Sequence, residues 1–173
     1  GGVDPDPAAD FGARTIGVFV PYAHSPEPHK AWVRELATFL GANGLDARLD
    51  AWHLRPGMDM PQWMCNEMSM ADKVIIVSDE QYAAKADGRM GGVGWETMLI
   101  QGDLAHQPHN AIKYLIVVRS ENLVAGMPMY LKTRFAIHWH QKANDAQLRD
   151  NLLKELFEVQ AAPPIGVPPV FIS

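Results

Sequence analysis

ADKVIIVSDEQY, residues 71–82, contains the run Val74-Ile75-Ile76-Val77, β-branched and apolar at every position. A strand with one face in water alternates apolar with polar residues. A run that is apolar on both alternating faces belongs instead to a strand buried on both sides, in a parallel sheet sandwiched by helices. Ile16 to Val20 and Tyr114 to Val118 have the same character. Leu45, Ala47 and Leu49 alternate with polar residues, as expected of a strand nearer an edge, and Phe135 to Trp139 reads as a last strand. Helical spacing recurs between the strands. Trp32, Val33, Leu36, Phe39 and Leu40 form one pattern, with Ser25 as N-cap, Pro26 at the first helical position and Gly44 closing the far end. A second helix is expected from about Pro61 to Ala71 and a third within Gly88 to His106. Leu148, Leu152, Leu156 and Val159 make the stripe of a closing helix capped by Asp145. Strand and helix alternating in this way predict right-handed crossovers and an open α/β sheet. Ligands bind beyond the carboxyl ends of such strands, which places a pocket among Tyr22 to His24, Asp50 to Gly57, Ser78 to Glu80, and Arg119.

A chain of 173 residues with a net charge of −5 has the size of one domain and no basic run for nucleic acid. Its one cysteine, Cys65, cannot form an internal disulfide, which suits a reducing, cytoplasmic setting. Nothing is long and apolar enough to suggest a membrane span, and no signal peptide leads the chain. Residues 1–14, opening GGVDPDPAAD, read as a disordered or cloning-derived leader, and 15–161 as the folded domain. Residues 162–173 form a proline-rich linker towards a missing C-terminal sensor domain.

Function is expected in GRMGGVGWETMLIQGDLAH, residues 88–106. Gly91, Gly92 and Gly94 run into Trp95 and Glu96, and Trp95, Met98, Leu99 and Gly102 then mark a packed helical face. Glu96 would stand in the first turn, where the helix dipole favours an ionised carboxylate. The glycines leave room for a ligand to approach it. The bland alternative is a surface acid that only balances the dipole. Trp95 can equally be core, Trp52 is open between packing and binding, and Cys65 inside its apolar helix reads as inert core. Met60, Met64 and Met68 share one helical face, suited to core or to an adaptable contact surface.

Four motifs in order carry a resemblance. GVFVPYAHS resembles the opening strand of TIR domains and the related SEFIR domains, with Pro21 and Ala23 replacing usual polar residues. LDAWHLRPGMDMP resembles their second strand and BB loop, turning at Pro56-Gly57. ADKVIIVSDEQY resembles the third strand, and GGVGWE the segment bearing the catalytic glutamate of TIR enzymes. The resemblance implies a flavodoxin-like open five-stranded parallel sheet with helices on both faces. It implies an NAD+ glycohydrolase or cyclase cleaving the nicotinamide–ribose bond, the effector of a larger prokaryotic defence or signalling protein. Glu96 would be catalytic, and Tyr22, His24, Trp52 and Trp95 would bind substrate. NAD+ is then the substrate, with no cofactor or metal. It further implies self-association, able to build filaments, through the loop bearing Leu54, Arg55, Pro56, Gly57 and Met58. The alternative the resemblance leaves open is a non-catalytic TIR or SEFIR adaptor.

Rival motifs are weaker. Gly92-Val93-Gly94 lacks the last glycine of a dinucleotide fingerprint, with Thr97 in its place. PYAHSPEP has no glycine to cradle a phosphate. The pairs His106 with His109 and His138 with His140 have no evident third metal ligand. A nucleoside deoxyribosyltransferase would share the sheet and a glutamate, but only Glu96 recommends it.

Overall fold

A computed structural model describes residues 14–24, 26–107 and 112–172. Five strands form one parallel sheet: β1 (Gly17–Phe19), β2 (Asp46–Arg48), β3 (Lys73–Ser78), β4 (Tyr114–Val118) and β5 (Ile137–His138). Their spatial order is β2-β1-β3-β4-β5, with every pair parallel. The order reverses between β1 and β3. Crossovers leave in opposite directions there, opening a crevice at the carboxyl ends of the strands.

The β3 run behaves as its composition dictates, with all six residues buried. Val74 and Ile76 join Phe19, Ile116 and Val118 on one face of the sheet. That face is covered by Trp63, Met64 and Met68 of α3 (Met60–Met70), Tyr82 and Ala86 of α4 (Glu80–Asp87), and Val93 and Ile100 of α5 (Gly91–Leu104). The alternate residues Val18, Val20, Ile75, Val77 and Val117 are equally buried, so neither face is left to water. α1 (Glu27–Ala42) contributes buried Val33, Leu36 and Leu40, and packs along β2. Burying each such side chain is worth about 1.5–3 kcal/mol.

Local chemistry sets the element ends. α1 starts one residue later than expected, with Pro26 in the capping position and no side-chain cap; Ser25 lies outside the described residues. Pro26 and Pro28 lack N–H groups, so this helix start has fewer unsatisfied donors to cap. Gly44 closes α1 as expected, its N–H bonded to Gly41 O at 3.1 Å. Asp59 caps α3 by accepting from Gln62 N–H (2.9 Å), and Asp79 caps α4 by accepting from Tyr82 N–H (2.8 Å). α4 and the one-turn α2 (Asp50–His53) are elements that hydrophobic spacing alone does not announce. Across β2 and α3, Arg48 pairs with buried Glu67 through two bonds of 3.0 and 2.8 Å.

The chain divides into two compact units, one up to His140 and one from Gln141. The second contains α6 (Asp145–Leu156), where Asp145 is the first helical residue and Asn144, without a side-chain bond, takes the cap. Leu152 and Leu156 are buried, whereas Val159 lies past the helix end and is exposed. Residues 163–172 have neither helix nor strand and are exposed. Among the described residues, no helix is long and apolar enough to cross a membrane.

Candidate functional site

β1 ends three residues before Tyr22, whose backbone bridges to Val77 of β3 at the reversal point. Asp50 follows β2 directly and opens α2. The loops after β1 and β2 therefore converge on the crevice, and the start of α5 closes it from the other side. A cavity of about 340 Å³ lies between them, at the small end of the range for small-molecule sites. Tyr22, His24, Asp50 and Glu96 supply its polar groups with Lys85 of α4, and Met60, Met64 and Met90 its apolar wall.

Glu96 sits in the second turn of α5, because the helix begins at Gly91 and the glycines are its first turn. Dipole stabilisation confined to the first turn therefore does not govern it. The carboxyl is buried, 6 % exposed as a residue, and its Oε2 has no hydrogen-bond partner. Burial first, and the negative charge of Asp50 second, push its pKa well above the usual carboxylate range. The expectation of a surface acid held ionised by the dipole is overturned. Burial beside that anion favours the neutral acid form of Glu96.

Asp50 is its counterpart. Burial alone would raise this carboxyl, but bonds from His24, Ala51 N–H (2.7 Å) and the Tyr22 hydroxyl outweigh it and take it below the ordinary range. His24 Nε2 is in direct contact with Asp50 Oδ2. The rings of Tyr22 and His24 stack at 4.9 Å and 25°. The phenol of Tyr22 is raised by burial and by Asp50, so it stays a donor. The site thus pushes one carboxyl towards its neutral form and the other towards its anion, the separation that marks paired acids with different tasks.

Gly91 and Gly92 present bare backbone to the cavity. A Cβ on Gly91 would project into open space, and one on Gly92 would reach Met64 Cε at 3.4 Å. Gly94 has a different reason. A Cβ there would lie 2.3 Å from the carbonyl carbon of Arg89, so the tight entry into α5 admits only hydrogen.

Of the expected binding residues, Tyr22 and His24 line the cavity with Glu96. Trp52 and Trp95 do not; they are 44 % and 38 % exposed. Trp95, Met98 and Gly102 were expected to pack, yet they lie on the more open side of α5. Its buried side is Val93, Gly94, Glu96, Thr97 and Ile100. Ser78, Asp79, Glu80 and Arg119 serve the fold instead. Ser78 Oγ donates to Gly126 O (2.6 Å), Asp79 caps α4, and Glu80 bonds Ser120. Arg119 donates to Trp139 O (2.8 Å) and lies over the Trp32 ring.

In the loop after β2, Arg55 to Met58 form a β-turn closed by Met58 N–H to Arg55 O at 3.1 Å, with Gly57 at φ +91°. Proline followed by a left-handed glycine is the expected type II arrangement. Arg55, Pro56, Gly57 and Met58 are exposed, whereas Leu54 is partly buried against the core. Cys65, expected as core, is exposed, because α3 turns Met64 and Met68 inward and Cys65 outward. His138 Nε2 contacts Ser120 O, and His109 lies outside the described residues.

The sequence reading placed Asp50 in the expected pocket region without giving it an individual role, and did not single out Lys85 or Met90. For Asp50, the available signal was its place immediately after a strand on the ligand side.

An open parallel sheet in the order 2-1-3-4-5, with a carboxyl-lined cavity at its reversal point, defines a flavodoxin-like α/β domain. The TIR-domain family model matches residues 18–153, and the chain belongs to the TIR-domain family. Among solved structures, a prokaryotic SEFIR domain is similar at 33 % identity and a TM-score of 0.66, over 91 % of this chain and 99 % of that one. The TIR domain of the Toll-related receptor TRR-2 from Hydra magnipapillata is similar at 16 % identity and 0.60, over 81 % and 97 %. The SEFIR domain of IL-17 receptor B is similar at 20 % and 0.54, over 82 % and 97 %. The last two establish likeness of fold. No curated protein matches the chain.

Proposed function

We propose that this TIR domain cleaves NAD+ at the nicotinamide–ribose bond, yielding linear or cyclic ADP-ribose. The observation that carries this reading is Glu96, a buried carboxyl with an unpartnered oxygen in a cavity that also contains the Asp50 anion. The nicotinamide ring of NAD+ is a cation, and an oxocarbenium-like ribose forms as it leaves. A site with negative charge fixed in a dry wall stabilises that charge better than water does. The C1′–N bond breaks with its electron pair leaving on neutral nicotinamide. Water or an adenine nitrogen then attacks C1′, and Glu96 in its ionised form orients the ribose or accepts the proton. The His24 ring, backed by Tyr22, offers a face beside it. The cavity volume suits the nicotinamide riboside end, with the remainder of the dinucleotide outside it.

Self-association of TIR domains through the exposed Arg55–Met58 turn is part of the proposal, as is a role as effector module of a larger defence or signalling protein. A second reading, a non-catalytic adaptor, is favoured by the 33 % identity to a SEFIR domain and by exposed Trp52, Met58 and Met60 around that turn. Incubation of concentrated protein with NAD+, with nicotinamide followed by chromatography, separates the two. Release by the wild type and a loss of about a hundredfold or more in Glu96→Gln is expected for a preorganised group of this kind. Release that survives the substitution would remove Glu96 from catalysis, and no release at high concentration would favour the adaptor.

A further inference from the structure

Glu96 and Asp50 share one cavity but carry their protons differently, and this has a consequence for what enters. Three donors occupy the Asp50 carboxylate: His24, Ala51 N–H and Tyr22. A carboxylate has room for about four, so Asp50 is a permanent anion with little capacity left for a ligand hydroxyl. Glu96 is the reverse, with a free oxygen and no donor to hold a charge on it. Lys85 lines the same cavity, but among the described residues no basic group is bonded to Glu96. α3 contributes only methionines to the cavity, Met60 and Met64, and α4 contributes Lys85 at the cavity and Tyr82 behind Glu96. Tyr130, from the turn Met129–Leu131, is a second neutral phenol near it, and His24 is already engaged by Asp50. The charge that Glu96 lacks must therefore come from the ligand.

We propose that the cavity takes up a flat organic cation in exchange for the proton of Glu96, with Asp50 as the fixed anion that draws the cation in. The shape fits such a ligand. Tyr22 and His24 stack at the cavity, and with Tyr22 only 3 % exposed it is the His24 ring that stays open to a ligand while Tyr22 backs it. Polarizable thioethers of Met60, Met64 and Met90 line the opposite wall and pack well against ring edges. Arrival of the positive charge removes the reason for Glu96 to stay neutral, and its proton passes to solvent. A ligand with the same ring and no charge gives no such exchange. This deepens the proposed function, since it rests on the cavity being the ligand site. It makes the cationic ring, rather than the enzyme alone, the agent that ionises the catalytic carboxyl.

The test compares 1-methylnicotinamide, a permanent cation, with neutral nicotinamide, by calorimetry and NMR titration on the full chain between pH 5 and 8. One proton released per cation bound makes affinity rise by about tenfold per pH unit until Glu96 ionises by itself, after which it levels. Nicotinamide should lack this rise. Glu96→Gln keeps His24 and Asp50, so it should abolish the part of the rise that belongs to Glu96. Asp50→Asn should weaken the cation more than the neutral ring and move the remaining rise to lower pH. Calorimetry in buffers of different ionisation enthalpy should count close to one proton released by the wild type. An affinity for the cation that is flat with pH, or a rise unchanged in Glu96→Gln, overturns the exchange while leaving NAD+ cleavage standing. Binding of neither ring at millimolar concentration overturns both. Proton-coupled cation binding without NAD+ turnover upholds the inference and sinks only the proposed reaction.

Discussion

Replacing Glu96 by glutamine should make the folded chain more stable at neutral pH, by an amount that grows with pH. The unfolded chain ionises Glu96 near its ordinary value of 4.5, whereas in the fold burial and Asp50 raise it well above that. Between those two values the native state binds one proton more than the unfolded state. Stability therefore falls as pH rises through the window, at about 1 kcal/mol for each pH unit. Glutamine has the same shape and no proton to lose, so its variant lacks this slope. For a chain of this length, about 1 kcal/mol corresponds to a shift in Tm of roughly 2–4 °C. Thermal and urea melts of both proteins at pH 5, 6 and 7, without ligand, should show the variant gaining on the wild type by that increment per unit. Other titrating groups are common to both and cancel in the difference. Parallel curves, with a constant gap across the range, would refute the reasoning: Glu96 would then be ionised in the fold, and its buried oxygen would have a partner.

Three further outcomes follow from other parts of the fold. Gly94→Ala should cost about 1–3 kcal/mol by overpacking and lower NAD+ turnover with it, since the new Cβ meets the Arg89 backbone; an unchanged melt would show that the α5 entry is looser than its geometry. Arg48→Ala should cost about 3 kcal/mol, the low end for a broken buried pair because the arginine is partly exposed, and urea unfolding measures it. Met58→Asp should leave the melt unchanged yet lower both light scattering and rate per molecule at high concentration. Leu54→Asp should instead destabilise the fold, because Leu54 packs against the core. A specific activity that is flat on dilution would show that one chain contains the whole site.

The strands were legible because burial on both sides leaves an unbroken apolar run, as in Val74 to Val77, and no other environment tolerates one so readily. The Pro56-Gly57 turn was legible because proline and a left-handed glycine act locally. Glu96 was found from its glycines, but its environment was misread. The spacing of Trp95, Met98 and Leu99 fits a helix, yet it does not say which side of that helix meets the sheet. The buried side runs through Val93, Glu96, Thr97 and Ile100, at i, i+3, i+4 and i+7, which puts Glu96 inward and Trp95 outward. The role of Asp50 within the expected pocket was illegible for another reason. Its role depends on Tyr22 and His24, more than two dozen positions earlier, and only strand pairing brings them together.

The same misreading bears on function. A carboxyl on an exposed first turn is compatible with any surface, adhesive or catalytic. A carboxyl buried beside an anion with one oxygen unpartnered is not, because burying a polar group without a bond costs stability. A domain that only adheres to its neighbours would gain by replacing it. The exposed turn at Arg55–Met58 and the cavity are separate features, so each can be removed without the other. In an adaptor, Glu96→Gln leaves association and signalling intact and raises stability. In the enzyme it leaves association intact, raises stability, and ends nicotinamide release. The strain at Glu96 is what the catalytic reading explains and the adhesive one does not.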